Sequence, residues 1–290
     1  MTLFLTVLIN GCILGSVYAL VAMGLSTQYG VARILNIAHG EFLILAAFIT
    51  RDLYLYYHIH PLISLVISGV IVFAISFALH RTIYKRVKDI SANDGAFEGN
   101  AILVAFGIYF IVQNLMQVHW GSESANLGGF MQTNVQIGPT TIATPNLLVL
   151  AIAVILCVAY TLFLSHTRLG KSIRAAAQDP GAAALLGVKI NRIMAMCFAI
   201  GGLLAAFAGV LISMKEPFSS ISGLGYTTIA IIIVVLGGLG SVKGAILGGF
   251  ILGFVGFAVS TYVEATFMLP CFYFIVLVLL VVRPKGLLGR

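Results

Sequence analysis

Eight stretches of this chain, roughly 3–25, 61–79, 101–118, 145–165, 193–214, 224–242, 244–262 and 266–282, contain no Asp, Glu, Lys or Arg. No water-exposed surface can be built from such segments. Each has about the length needed to cross hydrocarbon, where every backbone N–H and C=O must be satisfied within the segment, so each reads as a helix. A ninth stretch, 41–57, is interrupted by Arg51 and Asp52, which can reach an interface beside Tyr54, Tyr56 and Tyr57. The reading is an all-α, polytopic transmembrane helical bundle of eight or nine spans, forming a single membrane domain over residues 1–290. Composition agrees: 60% of the 290 residues are apolar and 9% charged, against about 25% charged in a soluble domain. The segment from Met1 to Ala32 is uncharged, with no basic leading region and no small-residue cleavage site, and reads as a retained first span. Short elements near 26–36 and 217–224 are expected as half-helices or re-entrant turns.

The net charge of +7 does not point to nucleic acid, because the cations lie in short clusters between apolar runs and no basic patch interleaved with aromatics occurs. Segment 80–100 holds Arg81, Lys85, Arg86 and Lys88; segment 165–192 holds Arg168, Lys171, Arg174, Lys189 and Arg192; the tail holds Arg283, Lys285 and Arg290. By the positive-inside rule these three segments, the C-terminus included, are expected on the cytoplasmic side. Segment 119–144 has no Lys or Arg and only Glu123, and is expected outside, which with nine crossings also puts the N-terminus outside. Within it, Gly128-Gly129 and the alternating run Asn134-Val135-Gln136-Ile137-Gly138-Pro139 predict two short strands around a Gly-Pro turn, either a cap over the bundle or a contact for an outside partner.

Function classes narrow by what the spans lack. A proton-coupled carrier needs ionisable groups at membrane depth, whereas the main polar residues within these spans are Asn10, Gln113 and Asn114. A sodium site made of backbone carbonyls stays open on this reading. An intramembrane enzyme needs a nucleophile with a base or a set of metal ligands. No Ser or Cys motif stands beside a positioned base among His39, His58, His60, His80, His119 and His166, and Cys12, Cys157, Cys197 and Cys271 lack metal-ligand spacing. No catalytic or metal-binding residue is therefore assigned. Leu169-Gly170-Lys171-Ser172 imitates the end of a phosphate-binding loop, but Ser165 stands where the first glycine belongs, so the chain is expected to hold no nucleotide itself. Gly11 with Gly15, Gly244 with Gly248, and Gly249 with Gly253 have the four-residue spacing of tightly packed membrane helices.

Segment 166–192 carries more turn chemistry than a connection needs. A short helix from Arg168 to Gln178 is followed by Asp179-Pro180, an N-cap and first-position pair opening a second helix from Gly181 to Leu186, which Gly187 ends. Ala182, Ala183 and Ala184 would give this helix a small, smooth face for a cleft on a partner. Arg174, Asp179, Pro180, Ala183 and Gly187 are the candidate docking and coupling residues.

Several motifs together resemble one family. Asn10-Gly11-Cys12-Ile13-Leu14-Gly15-Ser16-Val17-Tyr18-Ala19-Leu20, then Tyr29-Gly30-Val31 with Leu35-Asn36-Ile37-Ala38-His39-Gly40-Glu41-Phe42, resemble the first part of the branched-chain amino acid ABC-transporter permeases. Ala183-Ala184-Leu185-Leu186-Gly187-Val188, Leu236-Gly237-Gly238-Leu239-Gly240-Ser241 and Arg283-Pro284-Lys285-Gly286-Leu287-Leu288-Gly289 are similar to its later landmarks, in order along nearly the whole chain. The resemblance implies a multi-pass subunit of a bacterial inner membrane. It also implies a second related permease, two cytoplasmic ATPases that use the ATP and magnesium, and an extracytoplasmic solute-binding protein. Substrates in the family are branched-chain amino acids, with urea, short amides and aromatic acids also represented. Many amino-acid members carry a Lys before Ala-Phe ahead of Leu-Gly-Gly; this sequence has Ile229-Ala230-Ile231 there, which bears on the substrate. The stretch Asn36 to Glu41 supports two readings: a tight turn that starts a helix near Glu41, or a pore or gate element in which Asn36, His39 and Glu41 act with Asn10, Gln113 and Asn114.

Overall fold

The structure, a computed structural model, describes residues 2–127, 130, 133–137 and 140–289. Among these the helices are α1 (Thr2–Ala32), α2 (His39–Tyr57), α3 (Pro61–Leu79), α4 (Lys85–Ile90), α5 (Asp94–Trp120), α6 (Thr144–His166), α7 (Arg168–Gln178), α8 (Pro180–Leu185), α9 (Ile190–Lys215), α10 (Gly223–Gly237), α11 (Val242–Tyr262) and α12 (Met268–Val282). Each of the nine apolar stretches forms one of them. Among the described residues, seven helical stretches are long and apolar enough to cross a membrane: Phe4–Ala32, Pro61–Ile90, Asp94–Trp120, Thr144–His166, Ile190–Lys215, Val242–Tyr262 and Ala265–Val282. Pro61–Ile90 is continuous because one wide turn, His80–Tyr84, joins α3 to α4. Helix α10 is apolar but shorter.

A glycine seam sets the packing of α1 on α11. A side chain on Gly15 would reach 2.9 Å from the Phe250 backbone, and one on Gly249 would come 2.5 Å from that of Ala19, so α1 and α11 lie backbone to backbone. Small residues allow that approach, and in lipid close packing is what holds helices together. Helix α9 is the central strut, with 83% of the residues along its apolar span buried, against 6% for the span that contains α12, which turns its apolar side chains outward.

Where half-helices or re-entrant turns were expected near 26–36, α1 runs on to Ala32, since no proline or charge stops it earlier, and a turn follows. Helix α1 ends on Arg33, whose N–H donates to the Tyr29 carbonyl (3.1 Å) with a left-handed φ of 55°. Residues 34–38 then fold back along α1 without helix. Segment 217–222 is likewise a bend, tied by a two-residue antiparallel bridge between Ala125 and Phe218. Strands β1 (Asn134–Ile137) and β2 (Thr140–Ala143) pair antiparallel as expected, with Asn134 opposite Ala143. The anticipated Gly128-Gly129 pair and Gly138-Pro139 turn lie outside the described residues.

At the strand end of the molecule, Trp120 stacks on Phe48 (ring centroids 4.8 Å apart) and donates from Nε1 to Asp52 (2.8 Å), and Ser220 donates to the Gly121 carbonyl (2.8 Å). The basic segments gather at the opposite end. Lys88 donates to the Met194 sulfur (3.3 Å), and Arg174 shares a wall with Arg33 and Lys243.

Candidate functional site

Helices α2 and α10 begin inside the bundle, not at its faces. His39 opens α2, and its Nε2 donates to the carbonyl of Val21 (3.1 Å), about three helical turns back from the end of α1. Gly209 of α9 presses on the Leu43 backbone from the other side. The first turn of α10 crosses that of α2. A side chain on Gly40 would collide with the Gly223 carbonyl, and one on Gly223 would collide with the Glu41 carboxylate. The Gly40 N–H donates to Thr227 Oγ1 (2.8 Å), whose hydroxyl donates to the Ile37 carbonyl (3.0 Å). Glycine is required at position 40 by this approach, with Thr227 as the clasp, while a side chain at 223 would displace the Glu41 carboxylate.

Asn36, His39, Glu41 and Thr227 are fully buried here. Asn36 Oδ1 accepts from the Ala38 N–H (3.2 Å), forming the tight turn that the sequence suggested. Both carboxylate oxygens of Glu41, Nδ1 of His39 and Nδ2 of Asn36 have no hydrogen-bond partner among the described residues, and neither does Oε1 of nearby Gln28, whose Nε2 donates to the Phe198 carbonyl (3.0 Å). Polar groups held at membrane depth without partners are costly, and mark function more often than packing. Thr227 and Gln28 were not singled out from sequence; a hydroxyl or amide within an apolar helix carries no sign of what crosses it. The other polar candidates lie elsewhere. Asn10 spends its amide on the Thr6 carbonyl (3.0 Å) in its own helix, Asn114 does the same with Phe110 (2.7 Å) on the exposed side of α5, and Gln113 is half-buried beside it.

The anticipated helix pair is α7 and α8. Thr167 caps α7 by accepting from the Gly170 N–H (2.9 Å), and Asp179 caps α8 by accepting from the Ala182 N–H (3.0 Å), with Pro180 in the first turn. Gly187, at φ 84°, closes α8: its N–H reaches the Ala184 carbonyl and the Val188 N–H reaches that of Ala183. Gly170 is a packing residue, since any side chain there would enter the Phe163 and Leu164 carbonyls, which explains the glycine in the phosphate-loop look-alike. Arg174 rests on the Ser165 carbonyl (3.4 Å). One expectation needs correction. Ala183 is only 3% exposed, because that side of α8, little more than a turn and a half long, packs inward, while Ala182 and Ala184 stay exposed. The residues that project are Leu185, 91% exposed, and Leu186, 85% exposed.

Two motifs far apart in sequence meet at the basic end. The elbow Gly237-Gly238 between α10 and α11 receives the tail: the Leu287 N–H donates to the Leu236 carbonyl (2.9 Å) and the Leu288 N–H to that of Gly237 (3.0 Å). Gly238, at φ 101°, lies against Gly286 and Gly289 with no room for a side chain. Among the described residues no group of three or more His, Cys, Asp or Glu could hold a metal ion, and the four cysteines are unpaired.

Comparison with known proteins gives the family. The family model described as branched-chain amino acid transport system / permease component matches residues 7–283. The high-affinity branched-chain amino acid transport system permease protein LivH of Escherichia coli (strain K12) is 30% identical, over 99% of this chain and 96% of its own length. BraD of Pseudomonas aeruginosa, a permease protein of the same kind of system, is 31% identical with the same coverage. The ribose import permease protein RbsC of E. coli (strain K12) is 31% identical over 53% of this chain and 48% of its own. No solved structure matches. Polytopic, helical and alike to LivH and BraD from end to end, the chain belongs to the family of permease components of branched-chain amino acid transport systems.

Proposed function

We propose that this chain is one membrane-spanning subunit of an ATP-driven importer in a bacterial inner membrane, passing branched-chain or related small amino acids delivered by an extracytoplasmic binding protein. Its partners are a second related permease and two cytoplasmic ATPases, which use the ATP and magnesium. The basic end, with the C-terminus, then faces the cytoplasm.

The observation that carries this reading is the α7–α8 pair. It is capped at both starts, closed by Gly187, and presents Leu185 and Leu186 to solvent away from the bundle. A membrane protein that worked alone would have no use for two bare leucines on a stiffened corner among its basic loops; a subunit driven by a motor protein needs a lever that does not absorb motion. The junction of α2 and α10 is the companion gate: two helix starts meeting inside the bundle, with Asn36, His39 and Glu41 between them, is the arrangement in which broken helices handle small polar solutes. Few polar groups line the spans, so passage is weakly selective and the binding protein chooses the cargo. The departure at Ile229-Ala230-Ile231 leaves that cargo within small neutral or zwitterionic solutes.

The test is reconstitution. The tagged chain, purified gently, should bring down a second permease and ATPases, and proteoliposomes given ATP and the cognate binding protein should accumulate labelled leucine. Accumulation driven by an ion gradient without ATPases would refute the assignment. Single cysteines at positions 171 and 123 should be labelled from the cytoplasmic and outer sides respectively; the reverse would invert the orientation.

A further inference from the structure

At the basic end, five segments line a cavity of about 800 Å³: the end of α1 (Tyr29, Arg33), α6, α7 (Arg174, Gln178), the α10–α11 elbow (Ser241, Lys243) and the tail (Leu288). Among the described residues its lining contains three cations and no carboxylate, and none of the three cations forms an ion pair. Arg33 is held over the Tyr29 ring (5.8 Å) by a left-handed backbone that a non-glycine residue rarely adopts. Among the described residues Arg174 has only the 3.4 Å contact to the Ser165 carbonyl, which leaves most of its donors free of them. Three exposed cations on the wall of one cavity make that wall positive, which suits an anion. The same walls include Leu164 and the half-exposed Leu239, and the volume falls within the range of about 300–1,000 Å³ typical of ligands that have a body as well as a charge. The site lies where spans α1, α6 and α11 end or begin, at the depth of lipid headgroups, and basic pockets between helices on the cytoplasmic side suit such headgroups.

We propose that this cavity binds the phosphate of an anionic inner-leaflet phospholipid, of the phosphatidylglycerol or cardiolipin class, and through it fastens α7 to α1 and α11. The inference rests on the orientation given under the proposed function. It gives the coupling pair a lipid-dependent brace: an occupied site holds the lever against the spans, an empty one leaves Arg174, Arg33 and Lys243 without that tie.

The experiment uses the complete purified assembly in nanodiscs of neutral lipid, with or without cardiolipin. Native mass spectrometry without ATP counts retained cardiolipin, and leucine import per ATP is measured on the same assembly in liposomes. The double variant Arg33→Gln/Lys243→Gln should retain cardiolipin about 30-fold less well and lose the cardiolipin stimulation of import. Lys85→Gln removes a cation from the same end but outside the cavity and should do neither. Equal retention by the parent and the double variant overturns the site. Inorganic phosphate reproducing the stimulation in neutral lipid overturns the lipid source in favour of a soluble anion. Loss of the ATPases from the double variant in every lipid would instead assign the cavity to an acidic segment of a partner. Because retention is read without transport, an assembly that lacks ATPases would count against the functional reading and leave the lipid result standing.

Discussion

Replacing Leu185 and Leu186 together by Ala tests the lever most directly. Their side chains are 91% and 85% exposed, so the substitutions remove almost nothing from the folded chain itself, and its stability should change by no more than about 0.5 kcal/mol. The same exposure means that nearly all of their apolar surface is still available to a partner. Each truncation deletes about two to three methylene equivalents at about 0.8 kcal/mol apiece when fully buried. Docking recovers only part of that, because association also costs side-chain ordering and polar desolvation. A combined loss of about 2–4 kcal/mol follows, which weakens ATPase binding by about 30-fold to nearly 1,000-fold. The assay is titration of purified ATPase onto nanodisc-embedded permease pairs, beside a thermal melt of the same samples. The expected result is an unchanged melt with greatly weakened binding. Unchanged binding would show that α8 is a connection only. A lowered melt would show that the leucines are buried within the membrane assembly.

Ala183→Trp should do the opposite, destabilising the chain by about 1–3 kcal/mol or more because Ala183 is packed inward, and a melt of the purified variant checks it. Asp179→Ala removes the cap of α8, worth about 0.5–2 kcal/mol; ATPases should stay bound while import per ATP falls, read as the ratio of labelled leucine to released phosphate. Glu41→Gln keeps the shape of a carboxylate that has no partner among the described residues, so the melt should shift little while import falls at least tenfold; parental import would limit Asn36–Glu41 to its role as a turn. Gly253→Leu drives a side chain into Gly15 of α1 and should prevent a monodisperse preparation in size-exclusion chromatography, with loss of the α1–α11 seam as the cause.

By itself the sequence determined the solvent, the element type, the family resemblance and the local corners. Uncharged runs of 20 residues admit only helices in lipid, and Asp179-Pro180 and Gly187 fix their corner through bonds to neighbours one turn away, so α7 and α8 could be placed to within a residue. The Asn36–Glu41 motif, too, was visible as a stretch. Only the tertiary structure decided which side of each helix meets protein. In water an amphipathic stripe announces the buried face, but a helix surrounded by lipid is apolar all round, and its pattern holds no azimuth. For that reason the sequence offered Ala183 where Leu185 and Leu186 project, and grouped Asn10, Gln113 and Asn114 with a cluster they do not join. The partners that matter most are distant in the chain: Thr227 with Gly40, the Gly286–Gly289 tail with the Gly237-Gly238 elbow, and Arg33, Arg174 and Lys243 around one cavity. Each of these meetings is set by backbones that approach closely at glycine, a distance that spacing along a chain does not encode.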